Sequence, residues 1–488
     1  MAINTSNSNV ATRENRIGSI TGYVGTLKDL ASQSECGTLK GCSRCFSQSS
    51  TCLSMCGLSQ LAGIRDVAII HHGPAGCSVT SANSYYMSRV MAKKRGVTSS
   101  TVYVGTDMNE NDTIFGSTAT LRDVILEVNK RYSPKAIFVS SSCATGIIGE
   151  DIDSIVDDVR EEVGVPIVAV HCEGFKSRIW ATGFDISDHA VLQEIVKPPR
   201  EGVKTNKINF KNFFESARPE IIEMFKQFDL EPVFLYCNST IEELSHLSES
   251  IATTCICGTL GNYLGNALEE QYGVPYVRSI NQCGITGFET WLREIGKVTG
   301  RSDKIEKYIE EQRAIYIPQI EEVKKELKGL TAVLGMGPGY TFEVSRVLNE
   351  LGIKVVWALA WHYDKKYEDG NVPPSMKYLL DNDIDFEASV ADQQNYEVMN
   401  ILNKYKPDMY LSRHPGSTVW AIKNGTPAIY VADEYSIFGY QHTLEFAKTI
   451  VDAIKNRSFE ENLAKRTKLP YTDWWYKQNV DTFLEEVK

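Results

Sequence analysis

Twelve cysteines are spread through 488 residues, and three of them sit where a thiolate can do chemistry. Cys77 ends the tight segment His72-Gly73-Pro74-Ala75-Gly76, after the apolar run Val67 to His71 and just before a helical run from Ser78. Cys143 lies past the run Ala136 to Ser140, ahead of Gly149-Glu150-Asp151, and Cys257 precedes a helical run that ends at Tyr272-Gly273. A thiolate at a helix start is stabilised by the N-terminal dipole and suits iron, because iron–sulfur clusters are held by cysteine sulfur and gain from nearby N–H donors. Cys172 and Cys237 read instead as small buried hydrophobes. Five more, Cys36, Cys42, Cys45, Cys52 and Cys56, crowd the N-terminal region. The single CxxC there, Cys42 to Cys45, has no second CxxC to complete a zinc site, so an extra structural metal stays open.

The elements that must position these thiols alternate short β-rich runs with helical patterns, which predicts an α/β protein of βαβ units around mainly parallel sheets. In open sheets of that kind ligands gather beyond the carboxyl ends of the strands, where the three cysteines fall. Three Rossmann-like modules are expected, at 1–200, 201–329 and 330–488. The first boundary is the polar stretch after Pro198 and Pro199, and the second is Gly329, after a long charged helix over 302–328. The third module opens with Gly335-Met336-Gly337-Pro338-Gly339, which lacks the GxGxxG spacing of a dinucleotide site.

Composition narrows the function class. Charged residues are 23% and apolar residues 42%, an ordinary globular mix, and 51 basic against 62 acidic residues leave a net charge of −11. An acidic surface repels phosphate backbones, so no nucleic-acid partner is expected. No run approaches the length of a membrane helix, and the polar N-terminal sequence lacks an apolar signal core. A cytoplasmic protein without a membrane partner is expected.

Taken together, these residues resemble the catalytic α-subunits of nitrogenases and nitrogenase-like reductases. Cys52, the run Gly63-Ile64-Arg65-Asp66-Val67 and the segment His72 to Cys77 resemble the family's first two P-cluster ligand motifs. Cys143-Ala144-Thr145-Gly146-Ile147-Ile148-Gly149-Glu150-Asp151 is similar to the third, and Cys172-Glu173-Gly174-Phe175 to the turn beside the active site. The resemblance implies metal ligands at Cys52, Cys77, Cys143 and Cys257. It implies a P-cluster-type [8Fe-7S] cluster shared with a homologous β-subunit in an α2β2 heterotetramer. An active-site iron–sulfur cofactor would be anchored at Cys257, with Cys255 as the rival. An ATP-dependent iron–sulfur reductase protein would supply electrons.

The departures from the family pattern are as informative. The cofactor histidine of dinitrogen-reducing members has no counterpart in Ala432 to Tyr440; His414 is the candidate replacement, with Asp433 and Glu434 as alternatives. The glutamine and histidine that follow the Cys-Glu-Gly-Phe turn correspond by spacing to Trp180 and Phe184. The arginines of the glycine turn give way to Gly339, Tyr340 and Phe342. Aromatic rings relay no protons, and a turn short of positive charge compensates an organic acid poorly, so the expected cofactor is all-iron and lacks homocitrate. Trp180, Phe184, Tyr340 and His414 are the candidate catalytic residues. Within the family the methylthio-alkane reductases fit these departures best, which implies reductive C–S cleavage of a small thioether. A dinitrogen reductase and a cofactor-assembly scaffold are the competing readings.

Overall fold

The computed structural model describes residues 3–6, 18–44, 52–212, 217–278, 281–364, 372–391, 395–431 and 434–486. The chain folds into two compact units: Met1–Arg16 with Thr51–Arg278, and Ile17–Ser50 with Ser279–Lys488.

The first unit holds two parallel sheets. One has the order β2-β1-β3-β4, from β1 (Ala68–His72), β2 (Val102–Gly105), β3 (Ile137–Ser141) and β4 (Ile167–Val170). Both of its faces are covered, which is why the strands read as unbroken apolar runs. Alternate residues serve the two sides. Ile70, Ile137 and Val139 pack with Leu121, Ile125 and Val159, while Ile69, Phe138 and Val168 pack with Leu58, Ile64 and Ile186. The second sheet, order β7-β5-β6, comprises β5 (Lys207–Lys211), β6 (Glu231–Leu235) and β7 (Ala252–Cys255).

Five helices of this unit matter for the thiols. They are α1 (Leu53–Leu61), α2 (Ala75–Lys94), α3 (Cys143–Ile148), α4 (Thr182–Glu194) and α5 (Gly258–Tyr272). Helix α4 packs on both α1 and α5.

The second unit is built on a six-stranded sheet of β8 (Thr331–Met336), β9 (Lys354–Ala360), β10 (Glu387–Ala391), β11 (Met409–Ser412) and β12 (Ala428–Tyr430). Its order is β12-β11-β8-β9-β10, and an N-terminal strand, Gly22–Thr26, closes the edge antiparallel to β10. Helices α6 (Gly284–Thr299), α7 (Ser302–Leu327), α8 (Pro338–Glu350) and α9 (Pro415–Lys423) belong to this unit.

The expected fold class, α/β with mainly parallel sheets, is the one observed. Some local expectations change. The strand expected at Tyr276 to Ser279 is a single bridge, Tyr276 to Thr253, among the described residues. The helix expected over 241–251, opened by a capping box of Thr240 and Glu243, stops at Ser245. The polar stretch after Pro199 runs straight into β5, which sequence reading missed because Lys-Ile-Asn-Phe-Lys alternates like a solvent-facing edge. All but its first residue are buried.

Candidate functional site

Three parallel strands deliver loops to one edge of the first sheet. After β1 the chain turns through Pro74, the N-cap of α2, and places Cys77 in that helix's first turn. After β3, Ser142 caps α3 with Cys143 as its first residue; the Ser142 hydroxyl accepts the Thr145 N–H. After β4 come Cys172, Glu173 and Gly174. Cys52 arrives separately, as the N-cap of α1, and its side chain makes no capping bond.

These positions converge. A methyl group at Gly174 would sit 3.3 Å from the Cys143 Sγ and 3.6 Å from the Cys52 Cβ. Partial desolvation raises the Cys77 thiol pKa, and the neighbouring Cys143 and Cys52 add to the shift. Cys52 and Cys77 are exposed and Cys143 is half-buried. Among the described residues no three His, Cys, Asp or Glu side chains close on one point as a single-ion site requires. Three thiols around a bare glycine face would fit a group with several irons whose remaining ligands come from elsewhere.

The rim of this edge is apolar and uncovered. Val79 on α2 is 70% exposed, Phe115 84%, Ile147 on α3 76% and Phe175, next to Gly174, 56%. Large apolar side chains left exposed on neighbouring connections of one sheet edge suit an association surface.

Beneath the rim lies a charged cluster. Burial alone would lower the His171 pKa, but hydrogen bonds to Asp153, at 2.9 Å, and to Glu173 overcome it and raise the value to about 9. Glu173 also pairs with Lys176 at 3.0 Å; against the upward push of burial, His171 and Lys176 hold its carboxyl at about 2. Cys172 is fully buried, as expected of a small hydrophobe. Cys237 is only half-buried, with its sulfur 3.9 Å from the Asn212 carbonyl.

Cys257 and Cys255 have different surroundings. Cys257 is the buried N-cap of α5, at the positive end of a 15-residue helix. Cys255 is the last residue of β7, and its sulfur is 3.1 Å from the Tyr276 hydroxyl, which lies 2.7 Å from Asn262 Oδ1. Gly261 makes room for it, since a Cβ there would come within 2.3 Å of the Cys255 Cβ. In the same unit, Trp180 and Phe184 meet edge to face at the head of α4, ring centroids 5.6 Å apart.

The remaining predicted residues belong to the second unit. Tyr340 is buried in the first turn of α8, and the Arg413 guanidinium lies 4.4 Å over its ring. The residues of the turn itself are Gly339, Tyr340 and Phe342, and Arg413 comes to it from the loop after β11. His414 caps α9, its Nδ1 accepting the Ser417 N–H at 3.2 Å, and burial lowers its pKa. A neutral imidazole that accepts at Nδ1 carries its proton on Nε2. Cys45, Asp433 and the side chain of Glu434 fall outside the described residues.

A model of the family "Nitrogenase component 1 type Oxidoreductase" matches residues 52–455. The nitrogenase molybdenum-iron protein alpha chain of Methanosarcina barkeri is 27% identical over 335 residues, which cover 64% of this chain and 60% of that one. The chain thus spans about three-fifths of that relative's length, and 64% of the Clostridium pasteurianum alpha chain. The nitrogenase iron-molybdenum cofactor biosynthesis protein NifE of Methanococcus maripaludis is 26% identical over 403 residues, 80% of each chain. Among solved structures, nitrogenase Cp1 at pH 6.5 superposes with a TM-score of 0.68 at 19% identity, covering 88% of this chain and 93% of that one, a likeness of fold.

Proposed function

The chain belongs to the nitrogenase component 1 type oxidoreductase family, and from that premise we propose that it is the catalytic subunit of an enzyme that reductively cleaves the C–S bond of small methylthio-alkanes. In the net reaction the C–S bond breaks, one C–H and one S–H bond form, and two electrons and two protons are consumed, giving a hydrocarbon and methanethiol. When bound, iron–sulfur groups supply electrons at low potential. The electrons would originate from an ATP-dependent reductase protein.

This chain's residues divide the labour. Cys52, Cys77 and Cys143 would hold an interfacial cluster, with a homologous subunit covering the apolar rim of Val79, Phe115, Ile147 and Phe175. Cys257 would anchor an all-iron cofactor without homocitrate. His414 would present its Nε2–H, and Tyr340 its hydroxyl, as hydrogen-bond donors; Arg413 would supply a cation at that turn.

The observation that carries the substrate reading is the Trp180–Phe184 pair, an apolar wall where proton-relaying side chains would suit dinitrogen. The test is turnover by the anaerobic complex with its reductase and ATP. Methanethiol from dimethyl sulfide or 2-(methylthio)ethanol is the expected product, and acetylene or dinitrogen reduction without it overturns the assignment. A scaffold role in cofactor assembly is favoured by one observation, a NifE relative aligned over 80% of both chains. Transfer of the cluster to a second apoprotein without turnover would establish that reading instead.

A further inference from the structure

The exits of β1 and β3 are tied together by a chain of buried hydrogen bonds that runs through Thr106 and Ser117. The Gly73 N–H donates to Thr106 Oγ1 at 3.1 Å, and Thr106 Oγ1 lies 2.9 Å from His72 Nδ1. His72 Nε2 is 2.8 Å from Glu150 Oε2. The same carboxylate accepts the Ser117 hydroxyl at 3.0 Å and the Ser117 N–H. Burial lowers the His72 pKa and favours the neutral ring. A neutral ring fits one direction only: Thr106 O–H into Nδ1 and Nε2–H into the carboxylate. Every donor then meets an acceptor. The His72 side chain is 0% exposed and that of Glu150 2%.

The five members stand on four connections at the sheet edge. Gly73 and His72 begin the loop that ends in Cys77, Thr106 follows β2, Ser117 precedes the helix Thr118–Tyr132, and Glu150 follows α3, which Cys143 opens. The two loops also touch directly, since a Cβ on Gly73 would fall 2.5 Å from the Ser142 Oγ. We infer that Glu150, His72 and Ser117 are positioning residues whose clamp sets the separation of the Cys77 and Cys143 thiolates, and so tunes the cluster those thiolates hold. The inference rests on the ligand reading above. A half-satisfied buried network is poorly tolerated, so removing one member should let the two loops move independently.

The test uses the complex with its partner subunit, purified anaerobically as wild type and as the Glu150→Gln, Ser117→Ala and Cys77→Ser variants. Iron per chain, the paramagnetic resonance spectrum and midpoint potential of the interfacial cluster, and the unfolding temperature are measured on each. Glu150→Gln should keep its iron while the resonance broadens and the midpoint shifts. Ser117→Ala should show the same change in smaller measure, and it decides the matter if Glu150→Gln does not accumulate. Variants whose unfolding temperature falls while spectrum and potential match wild type would refute the positioning role. If Cys77→Ser itself leaves iron and spectrum unaltered, the ligand reading fails instead.

Discussion

Lys211→Met should be among the most damaging single substitutions in the first unit. The ammonium pairs with Asp188 Oδ1, both side chains are 0% exposed, and the ammonium also lies 3.8 Å over the Tyr236 ring. Tyr236 donates to the same carboxyl oxygen at 2.7 Å, while Asp188 Oδ2 meets no hydrogen-bond partner among the described residues. Removing the lysine leaves a buried carboxylate with one phenol, and breaking such a pair costs about 3–5 kcal/mol. The pH dependence identifies the cause. Burial raises the Asp188 pKa to about 6 even with Lys211 pulling it down, so without the lysine it rises further. A carboxyl whose folded pKa lies above its unfolded value destabilises most at high pH and recovers as it protonates, by at most about 1.4 kcal/mol per pH unit. Between pH 8 and 6 the variant should regain stability that the wild-type pair does not. The assay is denaturant unfolding of the complex at a series of pH values, with Lys211→Met/Asp188→Leu as the reference that removes both charges. A single variant as stable at pH 8 as that double variant, or with no recovery toward pH 6, would refute the reasoning.

Cys257→Ala should lose the active-site share of the iron and all turnover while keeping the interfacial share. Cys255→Ala should keep both and lose only about 1 kcal/mol with its Tyr276 contact, as metal analysis and unfolding would show. His171 has a raised pKa of about 9, so its contribution is complete below its unfolded value and fades as pH climbs through 9; His171→Gln should flatten that decline in unfolding scans. Gly183→Ala would drive a Cβ to 2.4 Å from the Leu53 carbonyl and 2.5 Å from the Gly57 nitrogen, forcing α1 off α4 at a cost of about 1–3 kcal/mol in unfolding free energy. Replacing Trp180 and Phe184 together by Gln and His should raise the KM for thioethers more than it lowers kcat for acetylene, in steady-state assays of the complex.

How far the sequence could be read follows from the range of each interaction. The convergence of Cys77 and Cys143 was legible because each lies a few residues past a buried parallel strand, and neighbouring strands bring their exits together whatever the rest of the chain does. Cys52 was found only through motif resemblance, since it precedes a helix rather than following a strand. The strand Gly22–Thr26 pairs with β10 across more than three hundred residues of sequence, and no local pattern encodes that. Strand β5 was hidden by its lysines, because a residue-by-residue reading assigns Lys211 to solvent until Asp188 is known to face it. The pairings of Arg413 and Glu150 were not legible for the same reason: their partners, Tyr340 and His72, lie 73 and 78 residues away.

One element joins the two cysteine positions of the first unit, and its packing explains residues that the motifs alone leave idle. Helix α4 meets α1, which starts after Cys52, where Gly183 and Gly57 bring the two backbones close: a Cβ on Gly57 would lie 3.1 Å from the Gly183 carbonyl. It meets α5, which starts after Cys257, where His189 Nδ1 lies 2.8 Å from the Tyr263 hydroxyl. Its inner face also carries Asp188, held by Lys211 and Tyr236. A close backbone contact on one side and a hydrogen-bonded ring on the other allow little sliding, because packed interiors transmit displacement rather than absorb it. The glycines, His189 and the buried ion pair therefore hold the starts of α1 and α5 at a fixed spacing. On that argument, loosening α4 at either contact should slow electron delivery to substrate before it lowers the iron content of either site.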